Sequence, residues 1–440
     1  MTHSPRPSSN TGPAFSHRDR VGQCLARIAD PAGEGSKAFL TVWNEEARIA
    51  AESLDRLNDA GYRSALDGLP VSIKDLLDVK GEVTRAAARP LDDTLPARED
   101  APVVARLKQA GAILIGRTNM TPFAYSVVGL NGHFGTPGNP VDRTRTPGGS
   151  SSGAAVSVAT GMTAAAIGSD TVGSIRVPAA LCGVVGVKPT QRAVPLDGAF
   201  PLSTTLDSIG PLARTVEDCA RLLAVISGGQ LQLWQRTNVE GVRLALPGGR
   251  FLESLDTTVS GAFERACRRL SAAGALIRDQ TFEALEAAAD GSLARTIQSV
   301  EAFTTHEALL ARRGGDYDPR IRARILQGRE VSAADYVRAI RIRSGLMAAF
   351  MADMAEVDAL ILPTVPVVAP RFTECESDED GVRIRLLRNT APFNVLDACA
   401  VTLPIQDPGE LPVGLMLAAP PGRDAQLIDI ARAIEAALRT

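Results

Sequence analysis

Three consecutive serines, Ser150 to Ser152, follow two glycines in the stretch TPGGSSSGAAVSVATG, and their hydroxyl groups could serve catalysis. A flexible linker is disfavoured because patterned segments flank the cluster and the residues after it are too apolar to remain solvated. A phosphate-binding loop is also disfavoured, since no lysine follows as G-x-x-x-x-G-K-[ST] requires and G-x-G-x-x-G is absent from this stretch.

The same residues match G-x-S-x-G, the motif of the nucleophilic serine in α/β-hydrolases. That motif requires a strand directly before it, and DRTRTPG is not strand-like. The triad also needs a later histidine, and only His306 follows, in a segment where we expect it on a helix surface. The sequence therefore disfavours a histidine-based triad.

A second hydroxyl cluster lies in GSDTVGSIRVP, where Ser174 follows Ser150 by 24 residues. The turn from Thr171 to Ser174 can point consecutive backbone N–H groups one way, as an oxyanion hole requires. Gly173 leaves space where a substrate would approach. A nucleophilic Ser174 needs a base, and without a suitable histidine a neutral lysine is the next candidate.

Lys74 is distinctive because only five of the 47 basic residues are lysine. Arginine cannot lose its proton in a protein, whereas a desolvated lysine can. Lys74 lies in the apolar, strand-like run LPVSIKDLLDV, and Ser150 could relay a proton between Lys74 and Ser174. The alternative, from this stretch alone, is an ion pair of Lys74 with Asp75 or Asp78 at the end of a strand.

Apolar runs alternate with amphipathic helical patterns along the chain, which predicts an α/β fold with covered sheet faces. Residues 119–205 are dense in Gly, Pro, Ser and Thr but keep apolar stretches, and residues 281–357 are mostly helical with a break near Gly314. No repeat and no sharp change in composition marks a boundary. We therefore expect residues 17–440 to form one large domain after a disordered N-terminal arm, residues 1–16.

Composition excludes several classes of function. The net charge is −3 without a basic block, which argues against nucleic-acid binding, and no apolar stretch is long enough to span a membrane. The first residues lack the apolar core of a signal peptide. The six scattered cysteines form no C-x-x-C pair, which is typical of reduced thiols in a cytosolic protein and not of a metal site.

Together these motifs resemble the amidase signature family. The resemblance spans about Gly68 to Leu417 and is specific, because a lysine motif, a GGSS loop and a GSIR motif occur in the family's order. It implies one large domain in which helices cover both faces of a mixed, twisted sheet, with the signature core at about 68–215 and a helical substrate-specificity region at about 281–357. The matching segments are GLPVSIKD, AGAILIGRTNM, HFGTPGNP, TPGGSSSGAAVSVA, GSDTVGSIRVPAALCGVVGVKPT, LDSIGPLARTVED and LPVGLML.

The resemblance implies a Ser–Ser–Lys triad that hydrolyses carboxamides, with carbamates or urea-type compounds as further substrates. Ser174 would be the nucleophile that forms an acyl-enzyme, Ser150 the bridging serine after a cis peptide bond, and Lys74 the general base and acid. The other implied site residues are the oxyanion-hole backbone of Thr171, Val172, Gly173 and Ser174, the supporting residues Gly149, Ser151, Asp170 and Arg176, and the substrate contacts Ala124 and Tyr125.

No metal or organic cofactor is implied. The expected binding partner is a small-molecule amide, and we expect no binding to nucleic acid or to a membrane. The resemblance to the family also suggests a homodimer, and we expect a cytoplasmic location. Three departures from the family pattern leave the triad intact. Val172-Gly173 replaces a usual Gly-Gly, TRAAARP after Lys80 replaces a Thr-x-x-Gly-Ser pattern, and Ser152 replaces a common glycine.

Two alternatives remain. The amidase component of a tRNA-dependent amidotransferase complex shares the triad, and a non-catalytic binding protein could use the same scaffold. The residues do not identify the substrate. Tyr317, Tyr336 and Phe303 could line an apolar acyl pocket or pack in the core. Six arginines in the helical segment are expected on a solvated helix surface, although one could meet an acidic substrate: Arg320, Arg322, Arg324, Arg338, Arg341 and Arg343.

Overall fold

The computed structural model describes residues 16–229, 231 and 236–439. The predicted N-terminal arm therefore lies outside the described residues except for Ser16. Ser16 caps the first helix, because its side chain accepts a hydrogen bond from the Asp19 backbone N–H at 3.0 Å.

A mixed sheet of eleven strands runs through the described part of the chain. In chain order, β1 to β11 are Phe39–Val42, Pro70–Lys74, Ile113–Thr118, Ala165–Asp170, Val185–Lys188, Ser208–Ala213, Arg243–Leu246, Leu276–Asp279, Ala359–Pro363, Cys399–Pro404 and Gly414–Ala419. Their spatial order is β1-β3-β2-β4-β6-β5-β10-β11-β9-β7-β8. Strand β2 is parallel to β3 and β4, β7 is parallel to β8 and β9, and the other pairs are antiparallel.

Helices flank this sheet. Strands β2, β4, β6, β9 and β11 are buried at every residue, which requires that both faces be covered. The fold prediction, a single α/β domain with a large mixed sheet, is confirmed, whereas the predicted domain boundaries stay predictions. In chain order, the helices of the described residues, α1 to α16, are His17–Ala29, Gly35–Ala38, Asn44–Asp59, Pro102–Gln109, Ser152–Ala159, Arg176–Cys182, Val216–Ile226, Thr257–Ala272, Glu283–Ala288, Ser292–Arg313, Pro319–Leu326, Ala333–Asp353, Phe372–Ser377, Glu379–Leu387, Ala391–Val395 and Asp424–Arg439.

Parallel pairing brings two of the predicted motifs to one edge of the sheet. Ile73 on β2 is in register with Ile167 on β4, so Lys74 ends its strand beside the end of β4. The chain leaves β4 at Asp170 and turns through Ser174 into α6. The lysine motif and the GSIR motif therefore meet at the same edge, although about a hundred residues separate them.

The small residues after the serine cluster form α5. From Ser152 to Val158 every residue of this helix is buried, and a Cβ atom on Gly153 would lie 2.8 Å from the Asn119 backbone nitrogen. Larger side chains would push the helix away from its neighbours. The small residues therefore let α5 pack closely behind the strand ends that carry the site.

The segment 281–357 is helical as predicted, and α10 ends at Arg313, directly before the expected break. Two side-chain predictions in this segment were wrong. His306 is fully buried, not on a helix surface, because α10 packs against α11 and α12 and its Nδ1 lies 2.9 Å from the Tyr317 hydroxyl. Arg324 is also buried, since it pairs with Glu379 and Asp380 on α14 at 3.1 and 3.0 Å.

Candidate active site

Lys74 is fully buried at the end of β2, where its amine contacts two serine hydroxyls. Its Nζ donates to Ser150 Oγ at 2.7 Å and to Ser169 Oγ at 2.8 Å. The alternative ion pair with Asp75 or Asp78 does not form. Asp75 instead accepts the Ala87 backbone N–H and pairs with a buried arginine, and Asp78 accepts the hydroxyl of Thr84, so each carboxylate has its own partner.

The surroundings of Lys74 favour its neutral form. Burial lowers the pKa of Lys74 to about 7, and the carboxylates of Asp170 and Asp207 limit the decrease. Near neutral pH a substantial fraction of the amine is therefore unprotonated. A neutral amine can accept a proton from the Ser150 hydroxyl that it contacts.

Ser150 lies in a tightly held loop before α5. The Gly149–Ser150 peptide bond is cis, which is the geometry that the resemblance implies. The Gly149 N–H donates to the Val127 carbonyl at 2.7 Å, and the Ser150 carbonyl accepts the Thr121 N–H at 3.1 Å. A Cβ atom on Gly149 would lie 2.8 Å from a neighbouring backbone Cα, so only glycine fits there.

Ser174 lies on the loop between β4 and α6 and is only 1% exposed. The Ser151 backbone N–H donates to the Ser174 carbonyl at 3.2 Å, so the two serine loops are in direct contact. No hydrogen bond joins Ser150 Oγ to Ser174 Oγ in the described structure. Catalytic hydrogen bonds of this kind are often longer in free enzymes and tighten when substrate binds.

Asp170 and Arg176 form a fully buried ion pair beneath the Ser174 loop. Asp170 accepts the backbone N–H of Gly173 at 2.8 Å and of Ile175 at 3.1 Å, and the Arg176 guanidinium donates to it at 2.9 and 3.0 Å. Burial alone would raise the pKa of Asp170, but Arg176 and these donors hold that pKa well below its usual range. The ionised carboxylate thus fixes the shape of the loop, which is the supporting position that the resemblance implies.

The predicted oxyanion loop has three backbone donors to offer, not four. The N–H of Gly173 is already donated to Asp170. The N–H groups of Thr171, Val172 and Ser174 have no hydrogen-bond acceptor within the described residues. These three groups are the ones that can stabilise a developing negative charge.

Gly173 is required for a reason that differs from the sequence prediction. Its φ of 142° is one that side chains rarely adopt, and a Cβ atom would lie 2.9 Å from Cβ of Thr390. The space that its missing side chain leaves is therefore taken by Thr390 and not by substrate. Thr390 Oγ1 donates to the Val172 carbonyl at 2.8 Å, so the pair fixes the back of the loop.

Four residues of the site were missed from the sequence. Thr390 and Asn394 contact the loop from a segment more than 200 residues away, and Asn394 Nδ2 donates to Asp170 Oδ1 at 2.9 Å. Ser169 accepts from Lys74. Asp207 accepts the Thr171 hydroxyl at 2.5 Å. Ser169 and Asp207 stand inside or beside the quoted motifs, which is the one signal that could have indicated them.

Asp207 is a buried carboxyl group with a raised pKa, and it acts on the charge of Lys74. Burial raises the pKa of Asp207 to about 6, although hydrogen bonds from Thr171 and from the backbone of Ser203 and Leu202 favour its ionised form. Its carboxylate in turn favours the charged form of Lys74. Both groups therefore titrate within the neutral range, and each influences the other.

Of the two predicted substrate contacts, Ala124 lines a cavity beside the Ser174 loop and Tyr125 does not. Ala124 lines a cavity of about 390 Å³ that also contacts Ser169 and Thr171. Tyr125 does not line this cavity, and its carbonyl accepts a long hydrogen bond from Arg324 at 3.4 Å. Burial raises the pKa of Tyr125 to about 12 despite the nearby arginines, so its hydroxyl stays protonated.

The aromatic candidates of the helical segment do not line this cavity either. Tyr317 is buried and packs on Phe123 with ring centroids 5.2 Å apart. Tyr336 donates its hydroxyl to Glu301 at 2.7 Å, and Phe303 packs against the largest apolar cluster. Core packing therefore accounts for the position of each of them.

The three departures from the family pattern are accommodated locally. Val172 is buried among apolar side chains. In TRAAARP, Ala86 and Ala87 adopt positive φ angles of 46° and 50°, and the Ala87 N–H donates to Asp75 at 2.8 Å. The Ser152 hydroxyl lies 3.4 Å from the Asn119 carbonyl. None of these residues contacts Lys74 through a hydrogen bond.

The described residues contain neither a metal-binding cluster nor a helix that could span a membrane. No group of three or more His, Cys, Asp or Glu side chains is arranged to hold a metal ion among the residues that the structure describes. No helix within the described ranges has the length and apolar character that crossing a bilayer demands.

Comparison with known proteins identifies relatives along nearly the whole chain. A model of the Amidase family matches residues 20–428. The 2-amino-5-chloromuconic acid deaminase of Comamonas testosteroni is 38% identical over 411 residues, which cover 91% of this chain and 88% of the relative. A glutamyl-tRNA(Gln) amidotransferase subunit of Carboxydothermus hydrogenoformans is 33% identical over 438 residues, covering 91% of this chain and 89% of that one.

A solved structure described as an amidase has the same fold. It superposes with a TM-score of 0.86 at 31% identity and covers 96% of both chains. The family resemblance drawn from the motifs is thus confirmed by independent comparisons of sequence and of structure. The chain belongs to the Amidase family and is a hydrolase that acts on amide C–N bonds.

Proposed function

We propose that the chain hydrolyses a small carboxamide through an acyl-enzyme on Ser174, with Ser150 as proton relay and Lys74 as general base and acid. The observation that carries the proposal is the 2.7 Å contact between the buried Lys74 amine and Ser150 Oγ. A buried amine whose pKa is about 7 has the proton affinity that a general base needs near neutral pH.

The first step forms the acyl-enzyme. Neutral Lys74 takes the proton of Ser150 while Ser150 takes that of Ser174, and Ser174 Oγ attacks the carbonyl carbon of the amide. This transfer requires Ser150 Oγ and Ser174 Oγ to approach to hydrogen-bond distance when substrate binds. The N–H groups of Thr171, Val172 and Ser174 stabilise the negative charge on the tetrahedral oxygen.

The second step releases both products. The proton on Lys74 returns through Ser150 to the leaving nitrogen, and the C–N bond breaks. Water then attacks the ester carbonyl on Ser174 while its proton passes through Ser150 to neutral Lys74. The bond between the acyl carbon and Ser174 Oγ breaks as that proton returns through Ser150 to Ser174 Oγ, which yields the carboxylic acid and regenerates the serine. Asp170 and Arg176 act on this chemistry by holding the loop.

A panel of aliphatic amides, aryl amides, anilides, carbamates and ureas tests the proposal by release of ammonia or amine. We expect at least one class to be cleaved by the wild type and the rate to fall by about a hundredfold or more in Ser174→Ala and in Ser150→Ala. Ser152→Ala is the matched control, since its hydroxyl makes only a long contact, and it should keep most of the activity. Equal loss in all three variants would contradict the assignment.

A second candidate function is that of an amidotransferase component, because the Carboxydothermus relative carries that name. Such a component would hydrolyse glutamine and need a partner chain. Glutamine hydrolysis that appears only when partner chains co-purify would establish it. Turnover of a simple amide by the chain alone favours the first proposal. If the Ser174→Ala variant still fulfils the biological role of the protein, a non-catalytic function is favoured.

The wider setting is also proposed. We infer that the partner is a small-molecule amide, that the chain forms a homodimer, and that it neither binds nucleic acid nor attaches to a membrane. The six cysteines are all free and five are buried, which agrees with a cytoplasmic location. Light scattering of the purified chain tests the dimer.

A further inference from the structure

The cavity beside the Ser174 loop combines a large apolar wall with several polar lining residues. Its volume is about 390 Å³, within the range of small-molecule sites. Its polar lining residues include Ser169, which contacts Lys74, and Thr171 of the predicted oxyanion loop. The larger apolar side chains of the wall are Leu76, Leu196, Phe200, Leu202 and Ile209.

Uncharged aromatic side chains pack behind Phe200 of this wall. Phe200 packs on Phe123 with ring centroids 5.4 Å apart, and Phe123 packs edge-on to His306 at 4.4 Å. Burial lowers the pKa of His306 to about 4, so the imidazole is neutral at physiological pH. Phe123 and His306 therefore place no positive charge behind Phe200.

The charges on the cavity itself are negative. Asp207 lines it, with its oxygens occupied by hydrogen bonds from Thr171, Leu202 and Ser203, and Asp197 lies exposed in solvent. No Lys, Arg or His is among the described residues that line the cavity. A carboxylate placed against the apolar side chains would lose its hydration without a cation among the lining residues, which is strongly unfavourable.

Arg343 is a cation outside the cavity lining whose guanidinium has buried donors without an acceptor among the described residues. It lies on α12, and its Nε and Nη2 atoms are buried without a hydrogen-bond partner among the described residues. Asp397 and Glu301 are the carboxylates that act on its guanidinium, and neither these residues nor Arg343 lines the cavity. Arg343 therefore supplies no direct partner to a carboxylate bound against the apolar wall.

We propose that this cavity binds the apolar group of an uncharged carboxamide and disfavours amides that carry a carboxylate. This inference rests on the proposed function, because the amide carbonyl has to reach the Ser174 loop while the apolar group fills the cavity. It sets the chain apart from a relative such as the deaminase, whose name specifies an acid. The substrate class is thus a neutral amide with an aliphatic or aryl group.

Binding to Ser174→Ala separates this inference from the proposed chemistry. Hexanamide and adipamic acid have the same chain length and differ by a terminal carboxylate, and each is titrated by ligand-observed NMR. We expect hexanamide to bind about tenfold more tightly or better. Equal or tighter binding of adipamic acid, or no binding of hexanamide, overturns the inference. Tight binding of hexanamide without turnover by the wild type would contradict the proposed function alone.

Charge variants add a second test on the same two ligands. Leu196→Arg puts a cation in the wall and should shift the preference toward adipamic acid by about tenfold. Ile384→Arg is the control, because this side chain is 63% exposed on α14, and it should leave the preference unchanged. If Arg343→Leu removes binding of adipamic acid, Arg343 recognises a carboxylate and the inference is overturned. The comparison of the two ligands on Ser174→Ala stands even if Leu196→Arg fails to fold.

Discussion

Replacing Thr390 by valine removes one hydroxyl group from the back of the loop that carries Ser174. That hydroxyl donates to the Val172 carbonyl at 2.8 Å, and both groups are buried. Valine has nearly the same shape, so the change leaves the carbonyl without this donor while the space behind Gly173 stays filled. The loop would then lose one of the contacts that aim its free N–H groups.

The expected size of the effect follows from the buried hydrogen bond. Leaving a buried acceptor unsatisfied costs about 1–3 kcal/mol. If that whole amount is lost from the transition state, kcat/KM falls by about 5- to 150-fold. Because Thr390 lies behind the loop against Val172 and Gly173, we expect kcat to carry most of the loss and KM to change little.

Two companion variants make the result interpretable. Thr390→Ser keeps the hydroxyl and should retain most of the activity. Thr163→Val makes the same chemical change at the far end of α5, where Thr163 donates to Ser157 at 3.1 Å, and should lower stability without lowering kcat. If Thr390→Val loses only as much activity as Thr163→Val while the free energy of unfolding falls, the hydroxyl stabilises the fold and does not position the loop.

Three further predictions concern the buried charges. Lys74→Met should lower kcat/KM by about a hundredfold or more. The control is Lys188→Met, at another buried lysine whose amine donates only to backbone carbonyls, and it should lower the stability of the fold while kcat/KM is retained. Equal losses of kcat/KM in the two variants would argue against Lys74 as the base. The value of kcat/KM should rise with pH through about pH 7 as Lys74 loses its proton, and a flat profile would contradict this. Asp207→Asn should move that rise to lower pH, because it removes a carboxylate that favours the charged form of Lys74. Asp170→Asn should lower the free energy of unfolding in urea by about 3–5 kcal/mol, since it leaves Arg176 buried without its partner. The pKa of Asp170 is depressed in the folded state, so the stability that its carboxylate confers is present above its ordinary pKa of 3.8 and is lost as pH falls. If Asp170→Asn unfolds in acid with the same profile as the wild type, the ion pair of Asp170 with Arg176 does not stabilise the fold.

The residues that carry chemistry could be predicted because their types are unusual where they stand. Lys74 is a lysine in an apolar run of an arginine-rich chain, and the serine loops are small-residue clusters with short-range patterns. The long amphipathic helices and the branched-aliphatic strands could also be read from periodicity. What these features share is a signal contained within about ten to twenty neighbouring residues.

The supporting residues could not be predicted because their roles depend on contacts between distant segments. Thr390 and Asn394 are ordinary polar residues in sequence, and only the packing of α15 against the Ser174 loop gives them a role. Strands β4 to β6 are fully buried and rich in small residues, so they lack the alternation that marks a half-buried strand. His306 has polar neighbours in sequence, yet helices pack on α10 from several sides and enclose it.

Identification of the acylated serine shows which hydroxyl attacks the substrate. The protein is mixed with an activated ester, quenched in acid, digested, and mapped by mass spectrometry. We expect a single acyl group on the peptide that contains Ser174 and no adduct in Ser174→Ala. An acyl group on the peptide that contains Ser150 to Ser152, or full amide hydrolysis by Ser174→Ala, would contradict it.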